Sequence, residues 1–325
     1  MASLERILFF GTPDFAVPTL EALVAAGWGP LRVITQPSRP VGRGKQLQPP
    51  PVARVAGSLG LPLLQPEKVR APEFLATVAE PRPDLAVVVA FGQIFPRALL
   101  ELPVHGCINL HASLLPAYRG AAPIQAAVAA GDEVTGVTTM HMEEGLDSGP
   151  MLLRRSLPIG PRETAAELSE RLARTGAELV VDTLRALEAG ELRPQPQDAA
   201  QATYAPRIRK QDGEVDWTLP AATLFNRLRA FTPWPGLHAS LRDRPVRLVW
   251  AEPAAPVPGG EAPGTCLGLR DGALAVRCGD GTVLAVSRLQ RPGKQAVSAT
   301  DFVNGEHLRP GESFAAAAPV DAAAR

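Results

Sequence analysis

LAVVVAF, residues 85–91, is a seven-residue run with no polar side chain, three of the seven being consecutive valines. A strand with one wet face alternates polar and apolar residues, whereas a strand covered on both faces by helices reads as continuous hydrophobic, and this run is of the second kind. Upstream, RILFF (residues 6–10) is a similar short run. It stops at Gly11 and is followed by Thr12, Pro13 and a helical pattern from about Asp14, in which Ala16, Leu20, Leu23 and Val24 recur at spacings of three and four. That is a strand–turn–helix unit. Residues 31–35, 107–110 and 134–142 repeat the strand signal, with helical stretches between. The spacing predicts an α/β protein with an open, doubly wound, mostly parallel sheet that binds ligands at the carboxyl ends of its strands.

Beyond this sheet, Thr164-Ala-Ala-Glu167 is a capping-box string opening a helix to about Glu188, with Leu168, Leu172, Leu179, Leu184 and Leu187 on its apolar stripe and Gly190 as its stop. ELRPQPQDAAQATYAP (residues 191–206) is rich in proline and glutamine without apolar periodicity, and reads as a linker on the surface or between domains, with a boundary near Tyr204. One more helix carries Leu224, Phe225, Leu228 and Phe231. Strand-sized segments follow, broken by Arg-Pro, Pro-Gly-Gly, Asp271-Gly272 and Asp280-Gly281. The Asp-Gly pairs are hairpin signals, so this half is expected to be a small antiparallel β-barrel. The expected division is a catalytic domain over 1–190, a linker over 191–206 and a carboxyl-terminal domain over 207–325.

The 325 residues are 46% hydrophobic and 20% charged, with 33 basic against 33 acidic side chains and a formal net charge of zero. A chain of this length can bury a sizeable core and hold two domains. No global field favours nucleic acid or a membrane, so a polyanionic partner must be met by local basic patches. Cys107, Cys266 and Cys278 are too few and too scattered for a disulfide framework or a zinc knuckle, and suit a reducing compartment. MASLERILFFG does not read as a signal peptide, because Glu5 and Arg6 interrupt it, and no later stretch is apolar enough to span a membrane. The expectation is a cytoplasmic monomer without a membrane partner. The Ala/Pro tail after Ser313 reads as frayed.

Asn109 and His111 sit at the end of the 107–110 run at a spacing that puts both on one face of a strand. Asp147 stands in GLDSGP, residues 145–150, just past the fifth strand, where glycines let a loop carry a carboxylate to a neighbouring strand end. Together the three make an acyl-transfer set: a carboxylate to orient an imidazole, an imidazole to move protons, and an amide to donate to an oxyanion. Taken singly, the histidine suits a structural role and the aspartate an Asx turn. GxSxG is absent and Ser113 lies only two residues from His111, which favours direct transfer between two bound substrates over a covalent enzyme intermediate. FFGTPDF stands where a dinucleotide fold would carry GxGxxG, and there is no GxxxxGK[ST]. Nicotinamide and ATP chemistry lose their support.

Five stretches occur in one order over nearly the whole chain: FFGTPDFAVP (9–18), SRPVGRGKQ (38–46), NLHASLLPAYRGAAPIQ (109–125), GLDSGP, and FTPWPG (231–236). In these the sequence resembles the methionyl-tRNA formyltransferase family of folate-dependent enzymes. The resemblance implies a Rossmann-like catalytic domain followed by an OB-like barrel, 10-formyltetrahydrofolate as co-substrate without a metal, and methionyl initiator tRNA as acceptor. It also implies Asn109, His111 and Asp147 as catalytic residues, and a folate-binding turn at Ser113, Leu114, Leu115 and Pro116 whose apolar side chains flank the flat donor. AFGQIFP (90–96) departs from the family pattern at Phe91 and Gln93. Expected tRNA contacts are Arg39, Arg43 and Lys45 in a glycine-spaced loop without acidic residues, and Arg207, Arg209 and Lys210 at the domain junction, with Arg242, Arg244 and Arg247 as a further basic cluster on the barrel. Two rival readings are a formyltransferase acting on an amino-sugar nucleotide, which has no need of SRPVGRGKQ, and a non-catalytic RNA-binding protein, which has no need of the trio.

Overall fold

The computed structural model describes residues 4–41 and 46–316. Their contacts divide the chain into two compact units, the first formed by Met1–Pro123, Val134–Pro158 and Leu168–Ala205, the second by Ile124–Glu133, Ile159–Glu167 and Pro206–Arg325.

The first unit is built on a seven-stranded sheet: β1 (Ile7–Gly11), β2 (Arg32–Ile34), β3 (Leu63–Leu64), β4 (Leu85–Val89), β5 (Cys107–His111), β6 (Val134–His141) and β7 (Met151–Pro158). Their spatial order is β7-β6-β5-β4-β1-β2-β3. Strands β1 to β5 run parallel, whereas β6 is antiparallel to β5 and β7 to β6. Every residue of β1 and β4 is buried, as strands covered on both faces require. The chain leaves β1 toward β2 and β3, then returns to place β4 on the other side of β1, so the strand order reverses between β1 and β4. That switch point is where open α/β sheets bind ligands. The three strand ends beside it are stitched together: the Thr12 hydroxyl and the Gln36 amide both donate to the Phe91 carbonyl, each at 3.1 Å. Phe91 itself stacks edge-on against Phe10 and Phe95, and Gln93 accepts from the Val69 amide at 3.0 Å. The two positions that depart from the family pattern are thus absorbed by the core and its loops.

Helices α1 (Val17–Ala25), α2 (Pro51–Ser58), α3 (Pro72–Ala79) and α4 (Arg97–Leu100) connect these strands. Gly11 is needed where β1 turns into the first helix, because a Cβ there would lie 2.7 Å from that of Ala16. The capping box forms as read: the Thr164 amide donates to the Glu167 carboxylate at 2.9 Å, and the Glu167 amide donates to the Thr164 hydroxyl at 3.3 Å. The Thr164 amide, together with the Thr164 hydroxyl donating at 2.8 Å, holds the Glu167 carboxyl below its ordinary pKa. The helix that the box opens, α6 (Ala165–Ala189), ends at Gly190 with φ +72°.

Residues 191–206, expected as a linker, are hydrogen-bonded into the first unit as far as Ala205. Gln195 bridges Met151, and Tyr204–Ala205 pairs in parallel with Arg119–Gly120. The segment shows no periodicity because it bonds through its backbone and single polar side chains.

In the second unit, α5 (Pro123–Ala130) contributes all but its first residue, α7 (Ala221–Ala230) follows Pro220, and strands β8 (Leu237–Leu241), β9 (Arg244–Ala254), β10 (Cys266–Arg270), β11 (Ala273–Arg277), β12 (Val283–Gln290) and β13 (Phe314–Ala316) form an antiparallel sheet. Their order is β10-β11-β12-β9-β8-β13, and a Thr265–Ser313 bridge joins the two edges. Asp271-Gly272 and Asp280-Gly281 both turn with positive φ, as hairpin turns of the primed type demand. Arg242-Asp243 makes a third such turn, with φ of +52° and +58°. The Arg242 guanidinium is gripped by the Glu312 carboxylate through two 2.8 Å bonds, Arg247 donates to the Pro233 carbonyl at 2.6 Å, and Arg244 lies 3.6 Å from Glu306. These bonds tie the cluster to neighbouring turns while Arg242 and Arg244 stay exposed.

Candidate active site

The site begins with the alternation of β5. Leu110 faces away, toward the Ala165–Ala189 helix, where Gly176 admits it: a Cβ there would lie 2.6 Å from a Leu110 methyl. Asn109 and His111 share the other face. His111 is buried, and its Nε2 lies 2.9 Å from the Tyr118 carbonyl. A carbonyl only accepts, so Nε2 carries the proton, and Nδ1 faces the Asp147 carboxylate at 3.6 Å. That gap is too long for a hydrogen bond. Nδ1 is therefore the ring nitrogen open to a reacting group or a water. The same Asp147 oxygen accepts from the Gly120 amide at 2.8 Å. The carboxamide of Asn109 has no hydrogen-bond partner among the described residues, and its donors are available.

His111 and Asp147 do meet, with Asn109 on the same face of β5, though not at adjacent strand ends as expected. Because β6 is antiparallel to β5, His141 lies opposite Ile108 and Thr138 opposite His111. The chain leaves β6 beside the start of β5 and must run back roughly 10 Å to reach His111, at about 3.3 Å per strand residue. Tight packing holds the returning loop, for a Cβ on Gly149 would collide with the His141 carbonyl. Asp147 and Tyr118 both adopt left-handed backbone conformations, with φ of +49° and +60°. Non-glycine residues keep such angles only where the surroundings over-determine them, at a cost of order 1–3 kcal/mol each.

The turn after His111 is more inward than expected. The Ser113 hydroxyl closes on the Ala117 carbonyl at 2.6 Å, and Thr138 ties the turn by donating to the Ser113 carbonyl at 2.7 Å and accepting from the Leu115 amide at 3.2 Å. Leu115 is fully buried with Met140 and Met151. Ser113 and Leu115 therefore shape the turn, and only Leu114 and Pro116 keep exposed side-chain surface for a ligand.

Arg119 and Gln197 are two residues the sequence reading did not single out. Both guanidinium contacts of Arg119 go to the Gln197 side-chain oxygen, and the Gln197 side-chain nitrogen donates to the carbonyls of Asp147 and Gly149. Of the expected tRNA contacts, Arg39 is exposed on the hairpin of Arg39–Val41 and Gln46–Gln48. Arg43 and Lys45 lie outside the described residues. Arg207, Arg209 and Lys210 are exposed at the start of the second unit. Among the described residues, no group of three or more His, Cys, Asp or Glu side chains is placed to hold a metal ion, and no helix is long and apolar enough to cross a membrane. Burial pushes the Cys107 thiol up to about 12, which removes it as a nucleophile at neutral pH.

Residues 5–184 match the model of the formyl transferase family, and residues 207–307 match that of the formyl transferase carboxyl-terminal domain. The chain belongs to the formyl transferase family. This formyl transferase is 48% identical over 306 residues to the methionyl-tRNA formyltransferase of Citrifermentans bemidjiense, covering 94% of this chain and 95% of that relative. It is 48% identical to that of Geobacter metallireducens, covering 96% and 98%. Among solved structures, its fold is similar to that of WlaRD, a sugar 3N-formyl transferase solved in the presence of dTDP and 5-N-formyl-THF, with TM-score 0.64 and 15% identity over 90% of this chain and all of that one. It is also similar to HypX from Aquifex aeolicus in complex with tetrahydrofolic acid, with TM-score 0.59 and 19% identity over 94% of this chain and 48% of HypX. At those identities the likeness is one of fold.

Proposed function

We propose that this formyl transferase carries the formyl group of 10-formyltetrahydrofolate to the amino group of methionyl initiator tRNA. The observation that carries the proposal is the shared face of β5, where the Asn109 amide, without a partner among the described residues, stands two residues from a histidine whose Nδ1 lies beside a carboxylate. These groups suit a neutral acyl donor whose oxygen gains charge on attack. The folate donor supplies the formyl carbon. As the acceptor amine bonds to that carbon, Asn109 donates to the oxygen that takes up the negative charge. His111, held through Nε2 by Tyr118, donates from Nδ1 to the same oxygen or to a bridging water once that nitrogen has taken up a second proton, and Asp147 stabilises the charged ring. The C–N bond to the folate breaks as the proton released by the amine passes to the folate nitrogen. Leu114 and Pro116 flank the donor. Holding both substrates on one face removes the entropic cost of their encounter and dispenses with an enzyme nucleophile.

Arg39, Arg43, Lys45, Arg207, Arg209 and Lys210 contact the tRNA in this reading. The catalytic function belongs to the first unit, which runs to Ala205, and tRNA binding to residues 207–325, in a monomer working in the cytoplasm. Transfer to an amino-sugar nucleotide would use the same trio, but the glycine-spaced basic loop would have no part in it. The deciding experiment measures transfer of labelled formyl from 10-formyltetrahydrofolate to methionyl initiator tRNA, with elongator methionyl-tRNA and an amino-sugar nucleotide alongside. Selective labelling of the initiator tRNA is expected. Labelling of the sugar alone would overturn the proposal.

A further inference from the structure

Gln197 sits where separate parts of the site converge. Its side-chain oxygen accepts from Nε and Nη2 of Arg119 at 3.0 and 2.8 Å, and its nitrogen donates to the carbonyls of Asp147 and Gly149 at 2.8 and 2.7 Å. The same nitrogen lies 3.9 Å from the sulfur of Met140, the residue directly opposite Asn109 in the β5–β6 ladder. Asp147 is thus held twice, by the Gly120 amide at its carboxylate and by Gln197 at its carbonyl. Two restraints of this kind are what a left-handed aspartate needs in order to stay in place. Arg119, the residue before Gly120, is buried, so the clamp joins both walls around the carboxylate to one anchor. The chemistry selects glutamine: one side chain must offer an acceptor to a guanidinium and two N–H donors to carbonyls. Glutamate has no donor, and an apolar residue of the same length has neither.

We infer that Gln197 is a positioning residue for formyl transfer, fixing the Asp147 carboxylate against His111 by clamping the Asp147–Gly149 backbone to Arg119. This rests on the roles given above to His111 and Asp147. The clamp acts on the turnover step and leaves both substrate sites alone.

Steady-state kinetics with both substrates on the full chain test it, using Gln197→Met, Gln197→Glu, Gln201→Ala and Asp147→Asn. Gln201 is an exposed neighbour whose side chain bonds to Asp198, and its variant should match wild type. Gln197→Met and Gln197→Glu are expected to lose about 10- to 100-fold in kcat, the scale of a misplacement approaching 1 Å, with both KM values within about twofold of wild type. Glutamate keeps the bond to Arg119, so a merely structural anchor would leave Gln197→Glu with wild-type kcat, and that result overturns the inference. It also carries the decision if Gln197→Met does not fold. A loss confined to KM overturns the inference as well. If both Gln197 variants turn over normally while Asp147→Asn is crippled, the clamp falls and the reading of the site stands. If Asp147→Asn is fully active, both fall together.

Discussion

Replacing Asp147 by asparagine isolates a charge without moving its neighbours. The asparagine side-chain oxygen can still accept from the Gly120 amide, which Asp147 binds at 2.8 Å, and the Gln197 bond to the backbone carbonyl is untouched. What disappears is a negative charge 3.6 Å from His111 Nδ1, between side chains 6% and 17% exposed. At an effective dielectric constant of about 20, that separation corresponds to roughly 4–5 kcal/mol between unit charges. The Asp147 oxygen is shared with an amide and partly wet, so about half of this is expected to reach the transition state. Since 1.36 kcal/mol is a factor of ten, kcat should fall about 50-fold. Single-turnover transfer of labelled formyl at saturating tRNA and folate measures it directly, with thermal melting to confirm the fold. A kcat within about threefold of wild type, or a loss expressed only in KM, would refute the assignment of Asp147 as the group that stabilises the charged imidazole.

Asn109→Ala removes the side-chain donor and should lower kcat by about 10²- to 10³-fold; equilibrium folate binding measured in parallel should be unchanged, and a loss of folate affinity alone would count against the oxyanion role. Arg43→Ala should cost on the order of 1–3 kcal/mol in kcat/KM for tRNA and flatten its salt dependence, with Arg43→Lys recovering only part because a guanidinium forks to phosphate as an ammonium does not; unchanged tRNA kinetics would remove the loop from the RNA-binding surface. Asp84 accepts from the Arg6 side chain and from the amides of Arg6 and Glu5, which hold its carboxyl below the ordinary range. A depressed pKa gives stability that is present above the unfolded value near 4 and is lost as pH falls through the folded value. Asp84→Asn should therefore be about 1–3 kcal/mol less stable at pH 7, nearer the lower figure because Arg6 is 44% exposed. Urea midpoints at pH 7 and pH 3 check this, and a gap that does not narrow at pH 3 would be the wrong sign.

Strands β1 and β4 were legible because all their residues are buried, which forces a continuous apolar run. The edge strand β7 was not: MLLRRSLP alternates between buried and wet positions and carries two arginines, so it shows no such run. Asn109 and His111 could be paired from spacing alone. The route of Asp147 could not, since it depends on β6 running antiparallel, which is a property of pairing rather than of composition. The Arg242-Asp243 turn lacks the Asn-Gly or Asp-Gly signature and is stabilised from a distance by Glu312, 70 residues away. Gln197 was hidden for a related reason. Its partners are a side chain and two backbone carbonyls 48 to 78 positions upstream, and such bonds leave no local periodicity.

The short ladder between Arg119–Gly120 and Tyr204–Ala205 bears on how such a chain can be recombined. The Ala205 carbonyl receives the amides of Ala121 and Ala122, and a side chain at Gly120 would press against it at 2.6 Å. A crossover that exchanged carboxyl-terminal units at the end of the long helix, near Gly190, would import a foreign Gln197 and Ala205 beside Asp147 and Gly120 of the recipient. The heritable module for the chemistry therefore runs through Ala205, and grafts joined just after it carry their own clamp with them, whereas grafts joined fifteen residues earlier inherit a catalyst whose last supporting strand was selected against another partner.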